Sequence, residues 1–147
     1  MTTQPVRILI ADDNPRGVEL LEAYLASTDY EIRTATDGEE TLRVVGEWRP
    51  DLILLDVMMP RVSGFEVCRR LRQDPQTADI QIIMVTALDQ AADIERAVEA
   101  GANDFMTKPI NKNELLLRIK ALLAARQQGS LVEQTLAYVR AVDEARP

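Results

Sequence analysis

The sequence predicts an α/β fold, a doubly wound (βα)5 three-layer sandwich around a five-stranded parallel sheet, and three observations predict it. Five short apolar runs recur along the chain, amphipathic segments of helical period separate them, and the intervals between runs are those of β-α-β units. Parallel strands need crossover connections, and right-handed crossovers carry the helices onto both faces of the sheet.

The elements follow in order. Val6 to Ala11 is the first strand. Asn14-Pro15 then marks a helix start, since proline is favoured at the first helical position, and Pro15 to Ser27 places Val18, Leu21 and Leu25 on one face. Tyr30 to Ala35 is the second strand, and Gly38 to Trp48 the second helix, with Leu42, Val45 and Trp48 as its stripe. Leu52 to Asp56 is the third strand; the run Leu52, Ile53, Leu54, Leu55 has no polar alternation, so both of its faces are buried. Phe65, Cys68 and Leu71 stripe the third helix, and Ile80 to Thr86 is the fourth strand. Ile94, Ala97 and Val98 stripe the fourth helix, Asp104 to Thr107 is the fifth strand, and Leu115, Ile119 and Leu122 stripe the fifth helix. After Ala125, the sequence RQQGS breaks that helix at Gly129, and Leu131 to Glu144 carries a weaker stripe of Val132, Leu136 and Val139. Residues 1–125 are expected to form one domain. Residues 126–147 are expected to be a helical tail: a packed sixth helix, a frayed end, or the start of a linker to an output domain.

Composition removes several kinds of chemistry. The 147 residues suit one ordinary domain with a core that needs no staples. The single cysteine, Cys68, excludes an internal disulfide and any paired-cysteine metal or redox motif. The absence of histidine excludes Ser-His and Cys-His catalysis and imidazole-liganded metals. A net charge of -7, with no cluster of Lys and Arg, speaks against nucleic acid or an anionic membrane as the direct partner and for a cation or another protein. The segment MTTQPVRILIADDN has too short an apolar core for a signal peptide, and no later run approaches membrane-spanning length. A soluble, cytoplasmic protein in a reducing compartment is expected.

Polar groups collect at the carboxyl ends of the predicted strands. Asp12 and Asp13 follow the first, Asp56 ends the third, Thr86 ends the fourth, and Lys108-Pro109 follows the fifth. In open parallel sheets the ligand crevice lies beyond those ends. If the first, third, fourth and fifth strands lie side by side, three carboxylates, a hydroxyl and an ammonium converge there. Three carboxylates repel one another unless a cation sits among them, and an all-oxygen ligand set suits Mg2+, which keeps waters and leaves room for phosphate oxygens. Lys108 can balance a phosphoryl group and Thr86 can donate to one of its oxygens. A carboxylate can attack phosphorus to give an acyl phosphate, and the central Asp56 is the best placed. The Lys108-Pro109 bond is a candidate cis peptide.

Taken together, these residues resemble the receiver domain of bacterial two-component response regulators. The segments ILIADDNPRGVELLEAYL, DLILLDVMMPRVSGFEVCRRLR, IIMVTA and AGANDFMTKPI match its blocks in order, over residues 6 to about 125. The resemblance implies a flavodoxin-like fold with strand order 2-1-3-4-5 and a phosphoryl group accepted from a histidine kinase or a histidine phosphotransfer protein. It implies that Asp56 is phosphorylated, that Asp13, Asp56 and the Met58 carbonyl bind Mg2+ with Asp12 helping through water, and that Thr86 and Lys108 hold the phosphoryl group. Phe105 matches the aromatic switch position, where many relatives have tyrosine and its hydroxyl. Met58 and Leu88 lie where the family varies its dephosphorylation rate. Switching would reshape the face of the fourth helix, fifth strand and fifth helix (α4-β5-α5), which would meet a downstream protein or output domain, or a second copy in a homodimer.

The alternative is a Mg2+-dependent aspartyl-phosphate phosphatase or phosphotransferase acting on small substrates. Haloacid-dehalogenase-like enzymes need a second aspartate two residues after the nucleophile, and here that position is Met58. A nucleotide-binding module lacks its glycine-rich turn or P-loop after the first strand.

Overall fold

The structure, a computed structural model, describes residues 4–126 and 131–145. Packing divides the chain into two compact units, Met1–Pro109 and Ile110–Pro147.

The first unit holds the whole sheet. Its strands are β1 (Arg7–Ala11), β2 (Glu31–Ala35), β3 (Leu52–Leu55), β4 (Gln81–Thr86) and β5 (Asp104–Thr107), all parallel and in the order β2-β1-β3-β4-β5. Its helices are α1 (Pro15–Leu25), α2 (Gly38–Trp48), α3 (Gly64–Gln73) and α4 (Ala91–Ala100). The three central strands are buried from end to end apart from Arg7 at the start of β1, as uniformly apolar runs require when helices cover both faces.

The strand period sorts these residues into two layers. Leu9, Ala11, Ile53, Leu55, Ile82 and Met84 join one apolar cluster with Val44, Val45 and Trp48 of α2, Phe65, Cys68 and Leu71 of α3, and Ala97 and Ala100 of α4. Their alternates Ile8, Ile10, Leu52, Leu54 and Ile83 are fully buried on the opposite face, where α1 supplies Leu21 and Leu25. The expected stripe of α4 is corrected here. Ala97 faces the core, but Ile94 and Val98 are 43% and 68% exposed, because the helix packs through the small pair Ala97 and Ala100 and comes too close for larger side chains on that face.

Helix starts are set by local chemistry. Asn14, Asp37 and Ser63 cap α1, α2 and α3 by accepting from the backbone N–H of Arg16, Glu40 and Glu66. Among the described residues, two that are not glycine take positive φ, Arg49 after α2 and Arg61 before α3.

The second unit contains α5 (Lys112–Ala125) and α6 (Leu131–Ala145), which pack on each other. Leu115, Ile119 and Leu122 are buried as their spacing predicts. On α6 the expected stripe is corrected: Leu136 and Val139 are 58% and 50% exposed, and Val142 is the buried residue. The side chain of Val132 and the break at Gly129 lie outside the described residues.

Candidate functional site

The sheet delivers Asp12, Asp56, Thr86 and Lys108 to one rim through its own main-chain ladder. Asp12 N–H donates to Ala35 C=O at 3.0 Å, Asp56 N–H to Ala11 C=O at 2.9 Å, and Lys108 N–H to Thr86 C=O at 2.8 Å. Each residue therefore sits at, or one step past, the last paired position of its strand.

Lys108 draws the acidic groups together. Its Nζ donates to Asp12 Oδ2 at 2.8 Å and to Asp56 Oδ2 at 3.0 Å, across 96 and 52 residues of chain. The other carboxylate oxygens receive backbone donors: Asn14 N–H donates to Asp12 Oδ1 at 2.9 Å, and Met58 N–H to Asp56 Oδ1 at 3.1 Å. Such short side-chain-to-backbone bonds fix each carboxylate's orientation as well as satisfying it. Asp12 and Asp56 are buried while Asp13 is exposed, so the acidic group opens to solvent on one side only.

Burial raises the Asp12 pKa above its ordinary value; the bonds from Lys108 and Asn14 oppose that rise, and the Asp56 charge adds to it. Burial also disfavours the Lys108 ammonium, but its hydrogen bonds to Asp12 and Asp56, with their charges, raise its pKa overall. The lysine stays charged, a resident counter-ion between two buried carboxylates.

Ligand oxygens of Asp12, Asp13 and Asp56 lie within 4.8 Å of one another. A set of hard oxygen donors at that spacing is compatible with a metal site. Thr86 is fully buried and its Oγ1 accepts a long bond, 3.4 Å, from Leu88 N–H, leaving its own hydrogen to donate. Met58 is 61% exposed beside Asp56. Phe105 is partly buried and packs on the same apolar cluster as Leu88. The Lys108-Pro109 bond is cis.

Two contributors escaped the sequence reading. A Cβ on Gly64 would lie 2.2 Å from the Asp56 carbonyl oxygen, so only glycine lets α3 start directly beneath the Asp56 loop. Its signal was the turn-forming pair Ser63-Gly64 so soon after Asp56. Arg72, eight residues further along α3, is half-buried and held in a hydrogen-bond network with no sequence signal at all. Cys68 is buried and its thiol is pushed up to about 11 by desolvation, so it is a packing residue and no nucleophile.

A family model described as the response regulator receiver domain matches residues 8–120. The chain belongs to that family. Response regulator PleD of Caulobacter vibrioides is 47% identical to this receiver over 116 residues, 79% of this chain and 26% of PleD. The DNA-binding dual master transcriptional regulator RpaA of Synechocystis is 44% identical over 80% of this chain and 48% of its own length. The chain thus spans about a quarter to a half of these curated relatives. Among solved structures, the receiver domain of a signal transduction histidine kinase from Syntrophus aciditrophicus is 36% identical, with a TM-score of 0.78 over 86% of this chain and 96% of its own. The receiver domain of sensor histidine kinase PA1611 from Pseudomonas aeruginosa, which has a magnesium ion coordinated in its active site cleft, is 30% identical, with a TM-score of 0.76 over 82% of this chain and 99% of its own. Family membership makes this receiver a module of two-component signalling, and the strand order agrees with the order that the resemblance implied. Among the described residues no helix is long and apolar enough to cross a membrane.

Proposed function

We propose that the domain accepts a phosphoryl group on Asp56 from a histidine kinase or histidine phosphotransfer protein, with Mg2+, and passes the change to a partner or output domain. The observation that carries this reading is the Lys108 ammonium bonded to both Asp12 and Asp56 at the strand ends. It supports Asp56 as the acceptor, since this buried carboxylate at the end of the central strand β3 shares the Lys108 cation with Asp12.

Asp12, Asp13 and Asp56 would hold Mg2+ with the Met58 carbonyl, and the ion, when bound, neutralises charge on the transferring phosphoryl oxygens. The chain's own residues do the rest. An Asp56 oxygen attacks phosphorus in line, the bond from phosphorus to the donor's imidazole nitrogen breaks, and that nitrogen departs with the bonding pair. Lys108 Nζ, already 3.0 Å from Asp56 Oδ2, turns to a phosphoryl oxygen as charge gathers there. The Thr86 hydroxyl donates to another. Reaching it displaces Thr86 and the segment after it, and Phe105, packed on the same cluster, follows; without a phenol it settles by packing alone. The domain modifies only itself, so it is a switch and not an enzyme with a separate substrate. Residues 1–125 form the receiver, and 126–147 a helical tail or linker. The surface that α4 and β5 present is the one that changes and the one a downstream partner, or a second copy, would meet.

Incubation with Mg2+ and acetyl phosphate followed by intact mass measurement will add one phosphoryl group to the native chain and none to Asp56→Asn. Equal labelling of the two would overturn the assignment.

A further inference from the structure

Helix α4 is fastened unequally along its length. Its C-terminal half is tied to α3 at three points. The Arg96 guanidinium lies 4.3 Å from the centroid of the Phe65 ring, Cys68 Sγ donates to Ala100 C=O at 3.2 Å, and Arg72 Nε donates to Gly101 C=O at 2.8 Å. Arg72 then reaches further. Its Nη1 donates to Ala78 and Ile80 C=O at 3.0 and 2.6 Å, and its Nη2 to Asn103 Oδ1 at 2.8 Å, an oxygen that also accepts from Ile82 N–H at 2.7 Å. One guanidinium joins α3, the entry to β4, the end of α4 and the entry to β5. Gly101, at φ 99°, leaves room for it, since a Cβ there would lie 2.7 Å from Arg72 Cγ.

The N-terminal half of α4 has nothing comparable among the described residues. Ala91, Ala92, Ile94 and Glu95 are exposed, and the first turn is held by its own cap, in which Gln90 N–H donates to Asp93 Oδ2 at 3.1 Å. This loose end is also the end that follows Thr86, through residues 87–90. A satisfied network around a half-buried guanidinium is costly to open, because each of its four acceptors loses a charge-assisted bond; an exposed cap opens readily.

We infer that Arg72 makes the C-terminal end of α4 the fixed end of the switch, so that phosphorylation at Asp56 changes residues 87–95 while residues 97–103 hold their place. The inference rests on the receiver reading above and adds to it a direction of motion: the helix swings about Gly101, and Ile94 travels further than Val98.

Hydrogen exchange read by mass spectrometry tests this, with the phosphorylated fraction measured by intact mass on the same sample. After Mg2+ and acetyl phosphate, exchange will change in peptides covering 87–95 and stay constant over 97–103. An equal or larger change over 97–103 in a phosphorylated sample overturns the pivot, whereas absence of labelling overturns the receiver reading instead. The anchor is tested separately without phosphorylation. Arg72→Met will raise exchange over 97–103 by about tenfold or more while leaving 87–95 near its native rate. Unchanged exchange over 97–103 in that variant overturns the anchor. Should Arg72→Met fail to fold, Arg72→Lys, which keeps the charge but loses the fork, will show the same regional rise to a smaller extent, and uniform exchange along α4 in Arg72→Lys would equally overturn it.

Discussion

Replacing Lys108 with methionine removes the cation that bridges Asp12 and Asp56 and keeps most of the apolar stem. Two charge-assisted hydrogen bonds are lost, at 2.8 and 3.0 Å, and two buried carboxylates are left facing each other. Bonds to charged groups contribute about 1.5–3 kcal/mol each, and stranding a buried partner costs about 3–5 kcal/mol. The Lys108 side chain is 26% exposed, so water screens part of this, and a loss of about 2–4 kcal/mol is expected. For a chain of this length that lowers Tm by roughly 5–12 °C. Mg2+ then discriminates between the two proteins. In the native chain the metal must share its carboxylates with an ammonium, and a unit positive charge a few ångströms away costs a divalent ion roughly 1–2 kcal/mol at the near-aqueous dielectric of a rim open to solvent. Lys108→Met will therefore bind Mg2+ about tenfold more tightly and recover much of its lost stability in saturating MgCl2. Urea unfolding with and without the metal measures both effects. The sole tryptophan, Trp48, reports it, being buried in the α2 layer with Arg7 and Arg33 within 5.6 and 5.1 Å of its ring. Equal stabilisation of both proteins by Mg2+ would refute the reasoning, as would a metal-free Lys108→Met as stable as the native chain.

Further outcomes are expected. Asp13→Ala will weaken Mg2+ binding about tenfold, near 1.4 kcal/mol, by calorimetric titration, with little change in metal-free stability because this carboxylate is exposed. Because burial raises Asp12 above its ordinary value of 3.8, Mg2+ affinity will fall as pH drops through that elevated value, while metal-free stability gains a contribution over the same interval, the native state binding the proton first. Affinity that stays flat down to pH 3.8 would contradict this. Gly64→Ala will cost about 1–3 kcal/mol in urea unfolding and reduce acetyl phosphate labelling, since the new methyl group must push against the Asp56 carbonyl.

The sheet and its rim were legible because each depends on a pattern local to the chain. Uniform apolar runs mark buried strands, and the polar residue ending each run marks the rim. That Lys108 bonds Asp12 across 96 residues follows once the strand order is known, and the family motifs supplied that order where periodicity left it open. The failures are of another kind. Ile94 and Val98 have the spacing of an inward stripe, yet the alanine side of α4 faces the core, because close helix packing rewards small residues that hydropathy patterns undervalue. On α6, Leu136 and Val139 are likewise exposed, and Val142, outside the expected stripe, is buried. Arg72 was invisible because arginine is by default a surface residue, and only the three-dimensional convergence of four acceptors explains its half-buried place. Arg61 gave no warning of its left-handed backbone, since glycine and asparagine are the usual markers.

The ladder bonds at Asp12, Asp56 and Lys108 have an engineering consequence. Positional error accumulates along a loop, but each of these side chains branches from a residue whose amide is clamped to the neighbouring strand. The spacing of the chemistry therefore inherits the tolerance of the sheet and is indifferent to what decorates the outer surfaces of the helices. Those surfaces can be rewritten, one exposed side chain at a time, without retuning the distance between Asp56 and Lys108.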